Sequence, residues 1–179
     1  MQSLERFKTV FQKLFKSWWI NEWQKLSRIL PRKTKNVFKK SMSCQEEEQK
    51  RRLAKTEEYT MLVFSLAGTS VENVEKVCDS VKLFIETGQV VANKDLYIPL
   101  NKKLRNAELK QFVTNIIKYN GKDNLDGDSF LQTAFCEWFS GKKENIAKNY
   151  SVLPKDSLVS KEGVEADLVV LKNIVTKND

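Results

Sequence analysis

Apolar residues recur at steps of three and four along most of this chain, in blocks that, apart from the last, close at a lone glycine or proline. That spacing places them on one face of an α-helix, because a 3.6-residue turn lines up every third and fourth side chain. Leu4, Phe7, Phe11, Leu14 and Trp18 make the first stripe, with Phe15 beside it. From Trp19 the stripe rotates and runs on through Trp23, Leu26 and Leu30 to Pro31. Val71, Val74, Val77, Cys78, Val81 and Ile85 form a second block ending at Gly88. Leu109, Phe112, Val113, Ile116 and Ile117 form a third, ending at Asn120 and Gly121. Leu131, Phe135, Trp138 and Phe139 precede Gly141, and Val164, Leu168, Leu171 and Val175 make a last helix. Six glycines and three prolines in 179 residues are too few for the turns of a sandwich or barrel. The predicted class is all-α: a compact core of about four to six helices, with at most one short hairpin within 89–100.

Local signals place the boundaries. Thr69 or Ser70 is expected to cap the helix that carries Val74, and Asp128 or Ser129 the one that carries Leu131. Residues 45–60 are highly charged and read as a solvated helix or connector, and residues 142–162 as loop or short helix around Pro154. The organisation that follows is a basic amphipathic arm over 1–44 and a helical core over 45–150. A polar linker with a C-terminal amphipathic helix fills 151–179.

Charge separates these regions. Residues 1–44 hold 11 Lys and Arg against Glu5 and Glu22, a balance of +9, whereas the remaining 135 residues balance at −1. The whole basic excess is therefore one arm, and such asymmetry points to an anionic partner, nucleic acid or a membrane surface. Lys8, Lys13, Lys16, Lys25 and Arg28 decorate the side opposite the aromatic stripe, and Arg32, Lys33, Lys35, Lys39 and Lys40 follow Pro31 as a basic strap. The stripe suits a helix packed on its own body or on a neighbouring copy. It also suits an interfacial helix with Trp at headgroup depth, an organelle presequence, or a calmodulin target.

Much chemistry is excluded. With no histidine in the chain there is no Ser-His or Cys-His nucleophile pair and no imidazole ligand. Cys44, Cys78 and Cys136 are too sparse for a disulfide framework or a cysteine zinc site, which fits a reducing compartment. Cys136, between aromatics, reads as a buried thiol acting as a small hydrophobe. Lys122 to Asp128 resembles a calcium loop only in passing. With Gly127 at the sixth position, Lys122 and Thr133 fall where acidic ligands are required. No glycine-rich phosphate loop occurs, and no catalytic constellation, metal site or cofactor site is expected. No apolar run approaches the roughly 20 residues that span a bilayer. The expected location is the cytoplasm, or a virion for a viral chain, without secretion and with peripheral membrane contact as the alternative. What remains is binding. Lys102, Lys103 and Arg105 before the third helix, and Lys142 and Lys143 after Gly141, would flank one groove for a phosphate backbone if the helices fold back on one another.

The order of features resembles a known family. An apolar helix ends in Leu66, Ala67, Gly68, Thr69 and Ser70, an amphipathic helix follows, and a later helix carries Thr133, Ala134, Phe135, Cys136, Glu137, Trp138 and Phe139. Over roughly residues 58–145 this is similar to the helical core of the coat proteins of flexible filamentous plant viruses. The resemblance implies a helical nucleocapsid around single-stranded RNA, its N-terminal arm docked on the next subunit through Phe7, Phe11, Trp18 and Trp23. Thr133 stands where that family carries its RNA-contacting arginine, and the partner aspartate has no counterpart after Tyr150, so that contact does not carry over. The reading is a non-enzymatic, RNA-binding, self-assembling structural protein. The alternative is a peripheral membrane protein, anchored by the arm residues Phe7, Phe11, Leu14, Phe15, Trp18, Trp19 and Trp23, that recruits a protein partner.

Overall fold

The computed structural model describes residues 32–90, 104–139, 143, 146 and 152–178, with helix backbone alone for 32–40 and 178. Among these residues the fold is all-α, with five helices: α1 (Arg32–Leu66), α2 (Val71–Thr87), α3 (Asn106–Tyr119), α4 (Gly127–Ala134) and α5 (Val164–Asn178). The hairpin expected within 89–100 lies outside the described residues after Val90. The chain divides into two units, Met1–Glu48 and Gln49–Asp179, and the packing below is that of the second.

α1 begins earlier than its apolar pattern indicates. Arg32, Lys33, Lys35, Lys39 and Lys40, expected as a strap, are its opening residues, since no glycine or proline interrupts the run from Arg32 to Leu66. Residues 45–60 are helical as well, but not wholly solvated, for Thr56, Tyr59 and Thr60 are buried. The threonine hydroxyls donate back to the carbonyls four residues earlier, Thr56 to Arg52 at 2.9 Å and Thr60 to Thr56 at 2.7 Å. Satisfied in that way, the polar atoms carry little burial penalty. The helix stops at Gly68, whose φ of 85° is open to residues without a Cβ. The Gly68 N–H donates to the Ser65 carbonyl at 2.9 Å and the Thr69 N–H to that of Phe64 at 3.0 Å. This crossed pair satisfies two of the last carbonyls of the helix. The same pair closes α3, where Gly121 donates to Lys118 and Lys122 to Ile117, both at 3.0 Å.

The core is one cluster to which all five helices contribute. α2 buries Val74, Val77, Cys78, Val81, Phe84 and Ile85, while Val71, expected on that face, stands 76% exposed. As the first residue of the helix it precedes the point where the stripe meets the body. Aromatic rings connect the layers. Tyr59 stacks on Phe112 at 5.3 Å, Phe112 meets Phe64 edge-on at 5.4 Å, and Phe64 stacks on Phe135 at 6.0 Å. Phe135 then meets Phe130 edge-on at 5.9 Å, and Phe130 stacks on Phe84 at 4.5 Å. Each pair adds about 0.5–1.5 kcal/mol beyond area burial. This ladder therefore ties α1 to α3, and through α4 to α2.

α4 is shorter than its sequence pattern suggests and is capped by a different residue. Asp126 takes the cap position, its carboxyl accepting from the Ser129 N–H at 3.1 Å and the Ser129 hydroxyl at 2.8 Å. Asp128 and Ser129, the expected caps, lie inside the first turn because the helix starts at Gly127. A Cβ at Gly127 would sit 3.0 Å from Ile117 Cδ1 and Val113 Cγ1, so a bare backbone is what lets α4 seat this close to α3. After Ala134 the chain turns, with Trp138 and Phe139 both donating to the Phe135 carbonyl at 3.0 and 3.1 Å. Phe135, Trp138 and Phe139 stay buried, but Cys136 is exposed, contrary to the buried thiol expected. The turn replaces the helical register and rotates Cys136 outward. At α2, Ser70 occupies the cap position without a side-chain bond, and the buried Thr69 hydroxyl has no partner among the described residues, so neither makes the expected cap bond.

Candidate nucleic-acid interface

The basic residues singled out from the sequence fall into three groups. Lys102, Lys103 and Lys142 lie outside the described residues, as do the arm residues Phe7, Phe11, Leu14, Phe15, Trp18, Trp19 and Trp23. Arg32, Lys33, Lys35, Lys39 and Lys40 are on α1, with their backbone alone described. Arg105 and Lys143 are fully described, and both are exposed.

The start of α3 is held against the segment after α4 by two side chains. Asn106 Nδ2 donates to the Trp138 carbonyl at 2.6 Å, and Lys110 Nζ to the Ile146 carbonyl at 2.5 Å. Arg105 precedes Asn106 in the chain, and Lys143 lies between the two acceptors in sequence, with its ammonium group at Asp126. Arg105 occupies the cap position of α3, and its own N–H donates to Glu108 Oε2 at 2.7 Å. Lys143 pairs with Asp126, the α4 cap, and donates to Ser129 Oγ at 3.2 Å. Burial opposes ionisation of Asp126, but the bonds from Lys143 and Ser129 outweigh it and hold this carboxyl below the usual aspartate range. The pair is half-exposed, and surface pairs of this kind contribute about 0–1 kcal/mol. A phosphate could therefore take Lys143 from Asp126 at small cost.

Elsewhere the described surface is chemically quiet. No group of three or more His, Cys, Asp or Glu among the described residues is placed to hold a metal ion. Cys78 is the buried thiol, pushed up to about 11 by burial and then by the charges of Glu57, Asp79 and Glu75. The loop 152–161 lines a shallow, open depression. No described helix is long and apolar enough to cross a membrane.

Sequence reasoning did not single out the most developed polar constellation, which is buried. Tyr59 Oη donates to Asp167 Oδ2 at 2.7 Å, and Asn115 Nδ2 lies 3.3 Å from the same oxygen. The Ser160 N–H reaches Asp167 Oδ1 at 3.0 Å, and Asn115 Nδ2 also donates to the Ser160 carbonyl at 2.9 Å. Gln111 Nε2 in turn donates to Asn115 Oδ1 at 2.8 Å. Burial, and then the charge of Asp167, raise the Tyr59 phenol well above its ordinary range, so it remains a donor through neutral and alkaline pH. One carboxyl thus fastens α1, α3 and the loop before α5 to α5. The ion pair of Lys55 with Glu165 at 2.6 Å and that of Lys172 with Glu58 at 2.7 Å flank it. The signal available was positional: Asp167 stands three residues after Val164 and Asn115 three after Phe112, both on apolar faces. Such an arrangement locks packing and presents no atom to a ligand. No family model, curated protein or solved structure matches the chain.

Proposed function

We propose that this chain is a non-enzymatic structural protein, coat- or nucleocapsid-like, that binds single-stranded RNA and assembles with copies of itself through its N-terminal arm. The observation that carries the reading is the segregation of charge: +9 on residues 1–44 against −1 on the other 135. Neutralising phosphates with Lys and Arg releases counterions, and a concentrated basic segment does this without base-specific chemistry. Arg105 and Lys143, both exposed on the body, support it as further cations for the same backbone. The resemblance over roughly 58–145 points the same way. The RNA contact itself rests on the lysines and arginines named here, since Thr133 offers no cation.

Light scattering on full-length protein, with and without nuclease, at low and high salt tests this. Large particles that shrink after RNase are expected, and a salt-insensitive, RNA-free monomer would overturn the reading.

One observation favours a second reading, a peripheral membrane protein: three of the four tryptophans, Trp18, Trp19 and Trp23, lie on the basic arm. That reading predicts flotation with anionic vesicles that is lost on deleting residues 1–31. Equal flotation by the shortened chain would refute it.

A further inference from the structure

α2 turns one continuous stripe to solvent. Glu72, Glu75, Asp79, Lys82 and Glu86 follow one another at steps of three and four and are exposed, and Val71 stands at the head of the stripe. The opposite face of the same helix is buried in the core, so this outer face is free of packing among the described residues. Four of the five charged side chains are acidic. Glu72 is occupied by Lys76 at 2.8 Å, while Glu75 and Asp79 have no cation partner among the described residues. Glu57 of α1 and the pair Glu75 and Asp79 all act on the Cys78 thiol, which places Glu57 beside the same stretch. A near-neutral body thus gathers negative charge on one helix face.

The complementary surface is in the same sequence. Lys8, Lys13, Lys16, Lys25 and Arg28 belong to a segment, residues 1–44, whose only acids are Glu5 and Glu22. At 1.5 Å per residue the acidic stripe from Glu72 to Glu86 is about 21 Å long. The stretch from Lys8 to Arg28 is long enough to span that distance even at the 1.5 Å rise of a helix. Opposite charges on the two surfaces steer such a contact and disfavour other pairings. We infer that the outer face of α2 is the docking surface for the basic N-terminal segment of a second copy of this chain. The inference rests on the self-assembly reading above and names the surface that reading requires. A head-to-tail contact of this type joins two different patches and extends into a filament or ring.

Charge exchange in the full-length chain tests it. One variant carries Glu75→Lys and Asp79→Lys, a second carries Lys13→Glu and Lys16→Glu, and sedimentation velocity is run at low salt after nuclease treatment. Circular dichroism checks the fold, and the milder Glu75→Gln and Asp79→Asn pair serves if the reversal unfolds α2. Each variant alone is expected to associate at least tenfold more weakly than the parent chain, and the equimolar mixture to recover association, because each arm then meets a face of opposite charge. A parent chain that stays monomeric would remove the self-assembly reading and this inference with it. Normal association by either variant would overturn the inference alone. Variants that both lose association without recovery on mixing would place the arm on another surface, or on its own body, and would likewise overturn it.

Discussion

α2 and α5 are both amphipathic helices on one core, yet they are held by different physics. α2 buries six apolar residues and ends its aromatic contact with Phe84 on Phe130, so its attachment is almost entirely desolvation and dispersion. α5 buries only Val164, Leu168 and Leu171 and adds Asp167, whose oxygens collect donors from α1, α3 and the preceding loop. The apolar attachment is insensitive to pH near neutrality, since the one thiol within it, Cys78, is pushed up to about 11. The polar one fixes a single geometry and depends on its acceptor: without Asp167 the donors from Tyr59, Ser160 and Asn115 lose a common buried partner. The difference teaches where a surface is available for other work: the charged residues of α2 lie outside its core contacts, whereas α5 and its neighbours use theirs in the buried Asp167 network and its flanking ion pairs.

Substitutions can break this comparison in order of size. Phe112→Ala removes one ring and with it two contacts of the aromatic ladder, those with Tyr59 and Phe64, and leaves a cavity between α1 and α3, with an expected cost of about 3–5 kcal/mol in urea unfolding. A cost under about 1 kcal/mol would show that the ladder is not the centre of the core. Asp167→Ala orphans the Tyr59 hydroxyl, the Ser160 N–H and part of Asn115, with an expected loss of about 3 kcal/mol and earlier hydrogen exchange in α5 than in α2. Equal exchange in the two helices would refute the distinction between them. Tyr59→Phe removes one donor and keeps the ring on Phe112, so about 1 kcal/mol is expected.

The smallest effect is in pH. Burial raises the Glu108 carboxyl above its ordinary value, with the Arg105 N–H and Ser157 opposing the shift. A raised acid gives stability that is fully present below its unfolded value and lost as pH rises through the folded one. Unfolding Glu108→Gln and the parent chain side by side should therefore show the glutamine gaining on the parent from acid toward neutral pH. A gap that is constant with pH would remove this account of Glu108.

Helix positions were legible in the sequence because periodicity reports the buried face directly. Val74, Val77, Cys78, Val81 and Ile85 are all inside, and Gly88 and Gly121 end α2 and α3 as the pattern requires. Where tertiary contact decides, the pattern fell short. Cys136 looked inward on a helix that ends at Ala134, and Asp126 outcompeted the two caps expected because α4 starts against Val113 and Ile117. The basic clusters around 102–105 and 142–143 were visible as composition. That the start of α3 is tied to the segment after α4 depends on Asn106 and Lys110 finding carbonyls more than thirty residues away, which no local spacing encodes. The tie of Lys143 to Asp126 is hidden for the same reason.

The central claim is that the concentrated charge at the N-terminus engages a phosphate backbone, and the salt dependence of RNA binding tests it most directly. Binding of a fluorescent single-stranded RNA to the full-length chain would be measured across a series of salt concentrations. The account predicts an affinity that falls steeply, by roughly 0.7 in logarithmic slope for each phosphate neutralised. The slope should drop when Arg32, Lys33, Lys35, Lys39 and Lys40 are changed to glutamine. No binding at low salt, or a slope that these substitutions leave unchanged, would contradict it.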